Sequence, residues 1–367
     1  MFRTFCRITA IVAGLAGASP LSAAAAERVY YIAADEIAWD YLPSKRDLIS
    51  GKPFPKVPPD VPFSRFVKAV YREYADATFT HLRPRAADQQ YLGTVGPIIR
   101  AEVGDTIKVV FRNHARHPYS IHPHGVVYEK AHEGAPYLTT PEKNERTAGA
   151  VPPGGTHTYL WSVPERAGPG PGDGSSVLWM YHSHVNESRD VSSGLIGPLI
   201  VTRKGSARAD ATPVDVDREF VILFAFGSET DGWYIKDSVK RFVPHPEKTN
   251  IKRKGFFDDT VRPNMNGYSF GNMPMPTMRV RDHVRWYVMA NAGNDGDFHT
   301  PHWHGQTLLS MGMRTDTVQL LPAGMMVADM IPDNPGVWLF HCHVPGHLDG
   351  GMVNHFRVLP KSTGETT

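Results

Sequence analysis

A short segment near the C-terminus places cysteine, histidine and methionine at intervals typical of a metal site. It reads HCHVPGHLDGGM, so that Cys342 lies between His341 and His343 and is followed by His347 and Met352. A blue-copper electron-transfer site binds its metal through two histidines and one cysteine in a plane and a weak axial methionine. The segment therefore predicts such a site, in which the second histidine comes from elsewhere in the chain.

The two histidines that flank Cys342 indicate a second metal centre. Successive side chains of an extended strand point to opposite faces, so Cys342 would face one centre while His341 and His343 face the other. Three further pairs with the pattern His-x-His could complete that second centre, and these are His122 and His124, His182 and His184, and His302 and His304. A solvated surface pair is the alternative for any single pair. Four pairs, one of them around the cysteine, favour a metal cluster.

The motifs resemble those of multicopper oxidases, the family that includes laccases and proteins with ceruloplasmin-type domains. The matching segments occur in the order found in that family: HPHG at 122–125, WMYHSH at 179–184, HTPHWHG at 299–305 and HCHVPGHLDGGM at 341–352. The resemblance extends over nearly all of the chain that follows residue 26. It implies an all-β fold of two cupredoxin-like domains, each a Greek-key sandwich or barrel, as in the two-domain members with type 1 copper in the second domain.

The same resemblance implies four coppers per chain and a ligand set for each. The type 1 copper would be bound by His299, Cys342, His347 and Met352. The three other coppers would share the eight paired histidines: His122 and His302 for the type 2 copper, His124, His182 and His343 for one type 3 copper, and His184, His304 and His341 for the other.

The sequence also repeats itself, which indicates a duplicated domain. A shift of 180 residues aligns the pair at His122 with the pair at His302, and a shift of 159 residues aligns WMYHSH with WLFHCH. These shifts place Tyr119, Ser183, Ser188 and Ser193 at the positions of the four type 1 ligands, so only the second domain is expected to hold that copper.

Short apolar or alternating runs separated by Gly, Pro and Asn, such as Ile107–Phe111 and Arg285–Met289, predict the strands of a β-sandwich. We expect a first cupredoxin domain over 27–204, a linker over 205–213 and a second cupredoxin domain over 214–367.

The composition is that of an ordinary globular protein of 367 residues, with 41% hydrophobic and 21% charged residues and a net charge of +2. Without a dense basic run, a nucleic-acid partner is not expected. Residues 1–26 have the pattern of a secretory signal peptide, since Arg3 and Arg7 precede an apolar stretch and a small-residue run. A membrane anchor is the alternative, but Ser19–Pro20 leaves the apolar run short for a span. We therefore expect a periplasmic or secreted protein without a membrane span after cleavage.

The implied reaction follows from electron counting, because the reduction of O2 to water takes four electrons and small reductants give one at a time. The resemblance implies a laccase-like oxidase of phenols or aromatic amines, with a metallo-oxidase of Cu(I), Fe(II) or Mn(II) as the alternative. A copper-binding cupredoxin without turnover is a third possibility. Relatives carry an acidic residue eleven positions after the first paired histidine, which makes Glu133 a candidate proton relay and Tyr128 a candidate redox-active neighbour. A solvated glutamate and a packed tyrosine are the alternatives.

The two-domain organisation also predicts an assembly. Each domain contributes two His-x-His pairs, so the cluster must lie where a first domain meets a second domain. Two-domain members of the family form it between chains, and such a head-to-tail contact closes under cyclic symmetry. We therefore expect a homotrimer with one cluster at each subunit interface. A monomer that forms the cluster within one chain is the alternative.

Overall fold

The computed structural model describes residues 25–54, 58–137, 146, 148–291 and 298–361. The predicted signal peptide lies almost entirely outside the described residues and stays a prediction. Within the described ranges, no helix has both the length and the apolar character that crossing a membrane requires.

The first half of the chain forms two four-stranded sheets, which we call the first sandwich. Its strands are β1 (Glu27–Asp40), β2 (Arg65–Tyr74), β3 (Ile99–Glu102), β4 (Thr106–Asn113), β5 (His122–Pro123), β6 (Thr156–Ser162), β7 (Ser176–His182) and β8 (Ile196–Thr202). The strand orders are β2-β1-β4-β6 and β3-β8-β7-β5. Strand β4 alternates between buried and partly exposed side chains, so its buried side chains join a core that contains Tyr71, Tyr159 and Trp161.

The second half forms a six-stranded and a four-stranded sheet, which we call the second sandwich. Its strands are β9 (Arg218–Ala225), β10 (Asn264–Met265), β11 (Thr277–Arg279), β12 (Val284–Ala290), β13 (Pro301–Trp303), β14 (Leu308–Ser310), β15 (Met313–Thr315), β16 (Met325–Met330), β17 (Gly336–Cys342) and β18 (Val353–Leu359). The strand orders are β10-β9-β12-β16-β14-β15 and β11-β18-β17-β13. Every residue of β12 is buried, as expected for a strand at the centre of the core.

Helices are short and lie in the connections. The α-helices are α1 (Glu187–Ser193), α2 (Ile235–Phe242), α3 (Phe256–Asp259) and α4 (Pro345–Asp349), and the 3-10 helices are Ala87–Leu92, Lys130–His132, Glu165–Ala167 and Pro246–Lys248. Helix α1 follows β7 and helix α4 follows β17, so both helices occupy the same place in the repeat. The all-β prediction of two cupredoxin-like sandwiches is confirmed.

The described strands pair only within their own sandwich, in agreement with the expected division, whose limits stay a prediction. The segment 205–213 between them is tied to the first sandwich, since Arg28 donates to the carbonyl of Ala209 and Thr202 Oγ1 donates to that of Ala211. The sandwiches are also joined by the ion pair between Lys68 of β2 and Glu229, with an N–O distance of 2.8 Å and both side chains buried.

Backbone hydrogen bonds show how the two halves of the repeat correspond. The amide of Cys342 donates to the carbonyl of Met352 at 3.1 Å, and the amide of Ser183 donates to that of Leu195, also at 3.1 Å. The amide of Met352 in turn donates to the backbone carbonyl of His347 at 2.9 Å. In the same way, the amide of Leu195 donates to the backbone carbonyl of Asp190 at 3.1 Å.

The structural counterparts of His347 and Met352 are therefore Asp190 and Leu195. Their assignment to Ser188 and Ser193 by a uniform shift is wrong, because α1 has seven residues and α4 has five. The expectation that the first domain lacks the type 1 ligands is unaffected, since neither a carboxylate nor a leucine side chain is a blue-copper ligand.

Candidate metal centres

The first candidate centre is formed by His299, Cys342 and His347. The Cys342 Sγ atom lies 3.8 Å from His299 Nδ1 and 3.6 Å from His347 Nδ1, and the two Nδ1 atoms are 3.2 Å apart. All three side chains are buried. Cys342 ends β17, His347 lies on α4, and His299 lies two residues before β13, so three separate parts of the chain bring the donor atoms together. Met352, fully buried, is placed beside them by its backbone bonds to Cys342 and His347.

The protonation states of this cluster suit a soft metal ion. Burial lowers the pKa of His299 to about 3 and that of His347 to about 4, so both rings are neutral near pH 7. Burial raises the pKa of the Cys342 thiol, although the Thr300 amide, which donates to Sγ at 3.4 Å, opposes this effect. Two neutral imidazoles and a sulfur within 3.8 Å of one another match the donor set that selects copper, and the bound metal would replace the thiol proton.

Aromatic side chains surround His347. The ring of Phe226 stacks on it with a centroid distance of 4.3 Å, and the ring of Phe298 lies 5.8 Å away. Phe298 is 49% exposed, so this side of the centre reaches the surface through an aromatic side chain.

The first sandwich carries a set of four histidines, which we call the first half-site. His122 of β5 and His182 of β7 are direct partners across the sheet. The Nε2 atoms of His124 and His182 lie 3.1 Å apart, and the ring of His184 is 5.1 Å from that of His122. Burial lowers the pKa of both His124 and His182 to about 4.

The second sandwich carries the corresponding second half-site. His302 of β13 and His341 of β17 are direct partners across the sheet. The Nε2 atoms of His304 and His341 are 2.9 Å apart, and the ring of His343 lies 5.4 Å from that of His302. Because Cys342 faces the first centre and His341 faces this half-site, adjacent residues of one strand serve two clusters on opposite faces.

Backbone carbonyl groups set the tautomer of four of these histidines. In the first half-site, His122 Nδ1 lies 2.7 Å from the carbonyl oxygen of Glu133, and His182 Nδ1 lies 3.1 Å from that of Ser183. In the second half-site, His302 Nδ1 lies 3.1 Å from the carbonyl oxygen of Asp316, and His341 Nδ1 lies 2.9 Å from that of Cys342. A carbonyl oxygen can only accept, so each Nδ1 carries the proton and each Nε2 has a free lone pair. Metal-binding histidines typically donate their second ring nitrogen in this way, and the residues present therefore fit copper.

The two half-sites do not meet within one chain. In the described part of the chain, neither a hydrogen bond nor a ring contact joins a histidine of one half-site to a histidine of the other. Both sets are open to solvent, since the side chain of His184 is 36% exposed and His343 is exposed. The expected eight imidazoles are thus presented as two open sets of four.

Glu133 lies beside the first half-site, but its carbonyl rather than its carboxylate contacts His122. Its carboxylate accepts from Lys130 and from Tyr137. Burial raises the pKa of this carboxylate, yet these two hydrogen bonds outweigh it and leave the pKa below its usual range. The ring of Tyr128 is 6.0 Å from that of His122. The roles of Glu133 and Tyr128 stay predictions.

Two acidic residues near the first half-site were not identified from the sequence. A carboxylate oxygen of Glu187 lies 3.4 Å from His184 Nε2, and the other lies 3.9 Å from His182 Nε2. Asp190 accepts a hydrogen bond from Ser183, which separates the two histidines. The sequence offers one indication of the Glu187 contact, which is its position three residues after His184 at the start of a helix.

Comparisons with known proteins assign the class. Two sequence models of the multicopper oxidase family match the chain, one over residues 86–206 and the other over residues 242–362. The protein therefore belongs to the multicopper oxidase family.

Similar proteins include Ferroxidase HEPHL1 of Homo sapiens, 40% identical over 341 residues that cover 90% of this chain and 29% of that protein. Hephaestin of Mus musculus is 39% identical, and the match covers 93% of this chain and 29% of that protein. Ceruloplasmin of Rattus norvegicus is also 39% identical, and the match covers 91% of this chain and 31% of that protein. The chain therefore spans less than a third of the length of these relatives.

Solved structures show the same fold. One titled "Crystal structure of multicopper oxidase" has a TM-score of 0.57 at 19% identity and covers 91% of this chain and 88% of its own. The structure of Blue Copper Oxidase from Nitrosomonas europaea has a TM-score of 0.56 at 20% identity, and the match covers 91% of this chain and 86% of that chain.

The lowered histidine pKa values predict how the stability of the metal-free protein depends on pH. Unfolded histidine takes up a proton near pH 6.5, whereas the native pKa of His299 is about 3 and that of His182 is about 4. The unfolded state therefore binds more protons between these values, and the free energy of unfolding contributed by these residues falls as pH decreases from about 6.5 to about 4. Urea unfolding across this range measures the slope. His299→Gln should give a shallower slope, and an unchanged slope would contradict the assignment.

Proposed function

We propose that the protein is an exported, periplasmic or secreted, four-copper oxidase that couples one-electron oxidation of a metal ion to four-electron reduction of O2 to water. The observation that supports this proposal most strongly is the end of β17. There Cys342 contributes to a buried Cys-His-His cluster while His341 contributes to a half-site of imidazoles. A non-catalytic metal-binding protein has no need for two ligand sets that share adjacent residues of one strand.

The proposed ligands are those that the resemblance implies. His299, Cys342, His347 and Met352 would bind the type 1 copper, and the eight histidines of two joined half-sites would bind the other three. Copper so bound would supply reversible one-electron chemistry and the four stored electrons that the reduction of O2 requires.

The residues of this chain supply the remaining requirements. The backbone between Cys342 and its neighbours His341 and His343 gives a connection of a few covalent bonds between the two ligand sets. It is reinforced by the 2.9 Å hydrogen bond from His341 Nδ1 to the Cys342 carbonyl. His347, next to the half-exposed Phe298, is the proposed point at which the reductant approaches. Glu133 is the proposed proton relay, because its carboxylate accepts a hydrogen bond from Tyr137 and its backbone carbonyl contacts His122 Nδ1.

The proposed assembly is a homotrimer in which the first half-site of one subunit meets the second half-site of the next. The separation of the half-sites within one chain supports it, and so does the solvent exposure of His184 and His343. Three chains of this length also add up to about the length of one similar relative, of which this chain covers 29 to 31%.

The assembly can be tested by complementation between two variants. His182→Ala damages the first half-site and His304→Ala damages the second, so each variant alone should be inactive. In a mixed ring, one interface joins the intact first half-site of one variant to the intact second half-site of the other. Random co-assembly should therefore restore about a quarter of the clusters. Size-exclusion chromatography with light scattering should give the mass of three chains. A monomer, or co-expressed variants without activity, would contradict the trimer.

The metal ion is preferred as reductant because the similar relatives include Ferroxidase HEPHL1, and iron(II) is the ion that this name specifies. A phenol or aromatic amine is the second candidate, since Phe226 and Phe298 provide aromatic surface at His347. Steady-state O2 consumption with iron(II), Cu(I), Mn(II) and a simple phenol separates them. We expect the highest kcat/KM with iron(II). Phe298→Ala should lower turnover of the phenol more than that of iron(II), and a higher kcat/KM for the phenol would favour the laccase-like alternative.

The link between the two ligand sets is tested with Cys342→Ser. The wild-type protein should contain four coppers per chain and show the strong visible band of copper–thiolate charge transfer. The variant loses the thiolate, so it should lose the colour and one copper and retain the three others. Because the reductant then has no entry point, oxidation should fall by more than about a hundredfold, since loss of an outer-shell partner alone costs about 10 to 100-fold. Normal turnover by a colourless variant would contradict the proposal.

A further inference from the structure

We infer that Asp190 is a positioning residue of the first half-site, which acts through Ser183 to hold the segment that carries His182 and His184. The inference rests on the proposed function, because it assumes that these two histidines bind copper. It arises from the corrected correspondence between the two sandwiches, in which Asp190 takes the place of His347 and Ser183 takes the place of Cys342.

The two positions have equivalent surroundings. The amide of Ser120 donates to Ser183 Oγ at 3.1 Å, as the amide of Thr300 donates to Cys342 Sγ at 3.4 Å. Ser183 Oγ then donates to Asp190 Oδ2 at 2.7 Å, where Cys342 Sγ approaches His347 Nδ1 at 3.6 Å. The first sandwich has therefore kept the arrangement of a type 1 site and replaced its sulfur and imidazole by a hydroxyl and a carboxylate.

This replacement has a mechanical consequence. In the second sandwich, a metal bound to both Cys342 and His347 would tie the end of β17 to α4. In the first sandwich, the hydrogen bond from Ser183 to Asp190 ties the end of β7 to α1 instead. Ser183 lies between His182 and His184, so a shift of its backbone would move both imidazoles, and metal ligands tolerate only small displacements.

Asp190 is itself held rigidly. It is 1% exposed, and its carboxylate accepts from Ser183 Oγ, from the amide of Asn186 at 3.0 Å and from Trp233 Nε1 at 2.8 Å. Trp233 follows β9 in the chain, and its indole is stacked on the ring of His117 at 4.5 Å. A buried carboxylate with three donors is fixed in position, and here one of those donors comes from the half of the chain that contains the other half-site.

A purely structural role for Asp190 in α1 is the competing explanation, and spectroscopy separates the two. In Asp190→Asn and in Ser183→Ala, we expect the affinity for the three coppers of the paired histidines to fall 10 to 100-fold in chelator competition, the range typical of outer-shell partners. The blue band of the Cys342 centre should be unchanged, while the near-ultraviolet absorption of the type 3 copper pair, whose proposed ligands include His182 and His184, weakens or shifts. The KM for the reductant should be unchanged and kcat should fall, because the reductant docks on the second sandwich.

The control is Ser192→Ala, which removes a partly buried hydroxyl from the same helix, α1, and leaves the bonds of Asp190 to Ser183, Asn186 and Trp233 in place. It should leave copper affinity and the absorption of the type 3 pair unchanged. The double variant Ser183→Ala with Asp190→Asn should be no worse than the more impaired single variant, because both remove the same link.

The inference is overturned if both single variants bind four coppers with the affinity and spectrum of the wild type, or if Ser192→Ala impairs copper binding to the same extent. Absence of these three coppers from the wild-type protein would overturn the proposed function along with the inference, whereas normal copper binding by the variants overturns the inference alone.

Discussion

The organisation of this protein depends on the alternation of side chains along an extended backbone. At the end of β17, Cys342 faces a buried cluster with His299 and His347, and His341 faces the second half-site. Two centres on opposite faces of one strand are thereby connected through the backbone of adjacent residues. The second sandwich brings other residues of both sets, which come from β13, α4 and the segment before β13, to the two faces of this strand.

Burial and backbone hydrogen bonding prepare these ligands in complementary ways. Burial disfavours the protonated imidazoles, as shown by the pKa of about 4 at His124 and about 3 at His299. Backbone carbonyls then fix the Nδ1 proton of histidines such as His122 and His341, which leaves Nε2 as the donor atom. The same low-dielectric surroundings raise the pKa of the Cys342 thiol, so the metal is needed to stabilise the thiolate.

The sequence repeat indicates a duplication, and the two sandwiches differ in the residues that correspond to the first candidate centre. The second keeps the soft ligands, and the first has Ser183 and Asp190 in the corresponding places, joined by a hydrogen bond of 2.7 Å. Both arrangements tie a His-x-His segment to the helix that follows it. In the first sandwich this tie needs no metal ion, and the indole of Trp233 connects it to the second half of the chain.

The amino-acid sequence by itself determined the ligand types, the pairing of histidines, the strands and the duplication, because these depend on local spacing and on a periodicity of two. It did not determine that Asp190 replaces His347, since the correspondence follows backbone hydrogen bonds across helices of unequal length. Nor did it reveal the contact of Glu187 with His184 or the carbonyl partners of the rings. Only the tertiary structure decided that the two half-sites stay apart within one chain. The reason is that each set of histidines is held by paired strands of its own sandwich, β5 with β7 and β13 with β17, so its position depends on how the two sandwiches pack in three dimensions.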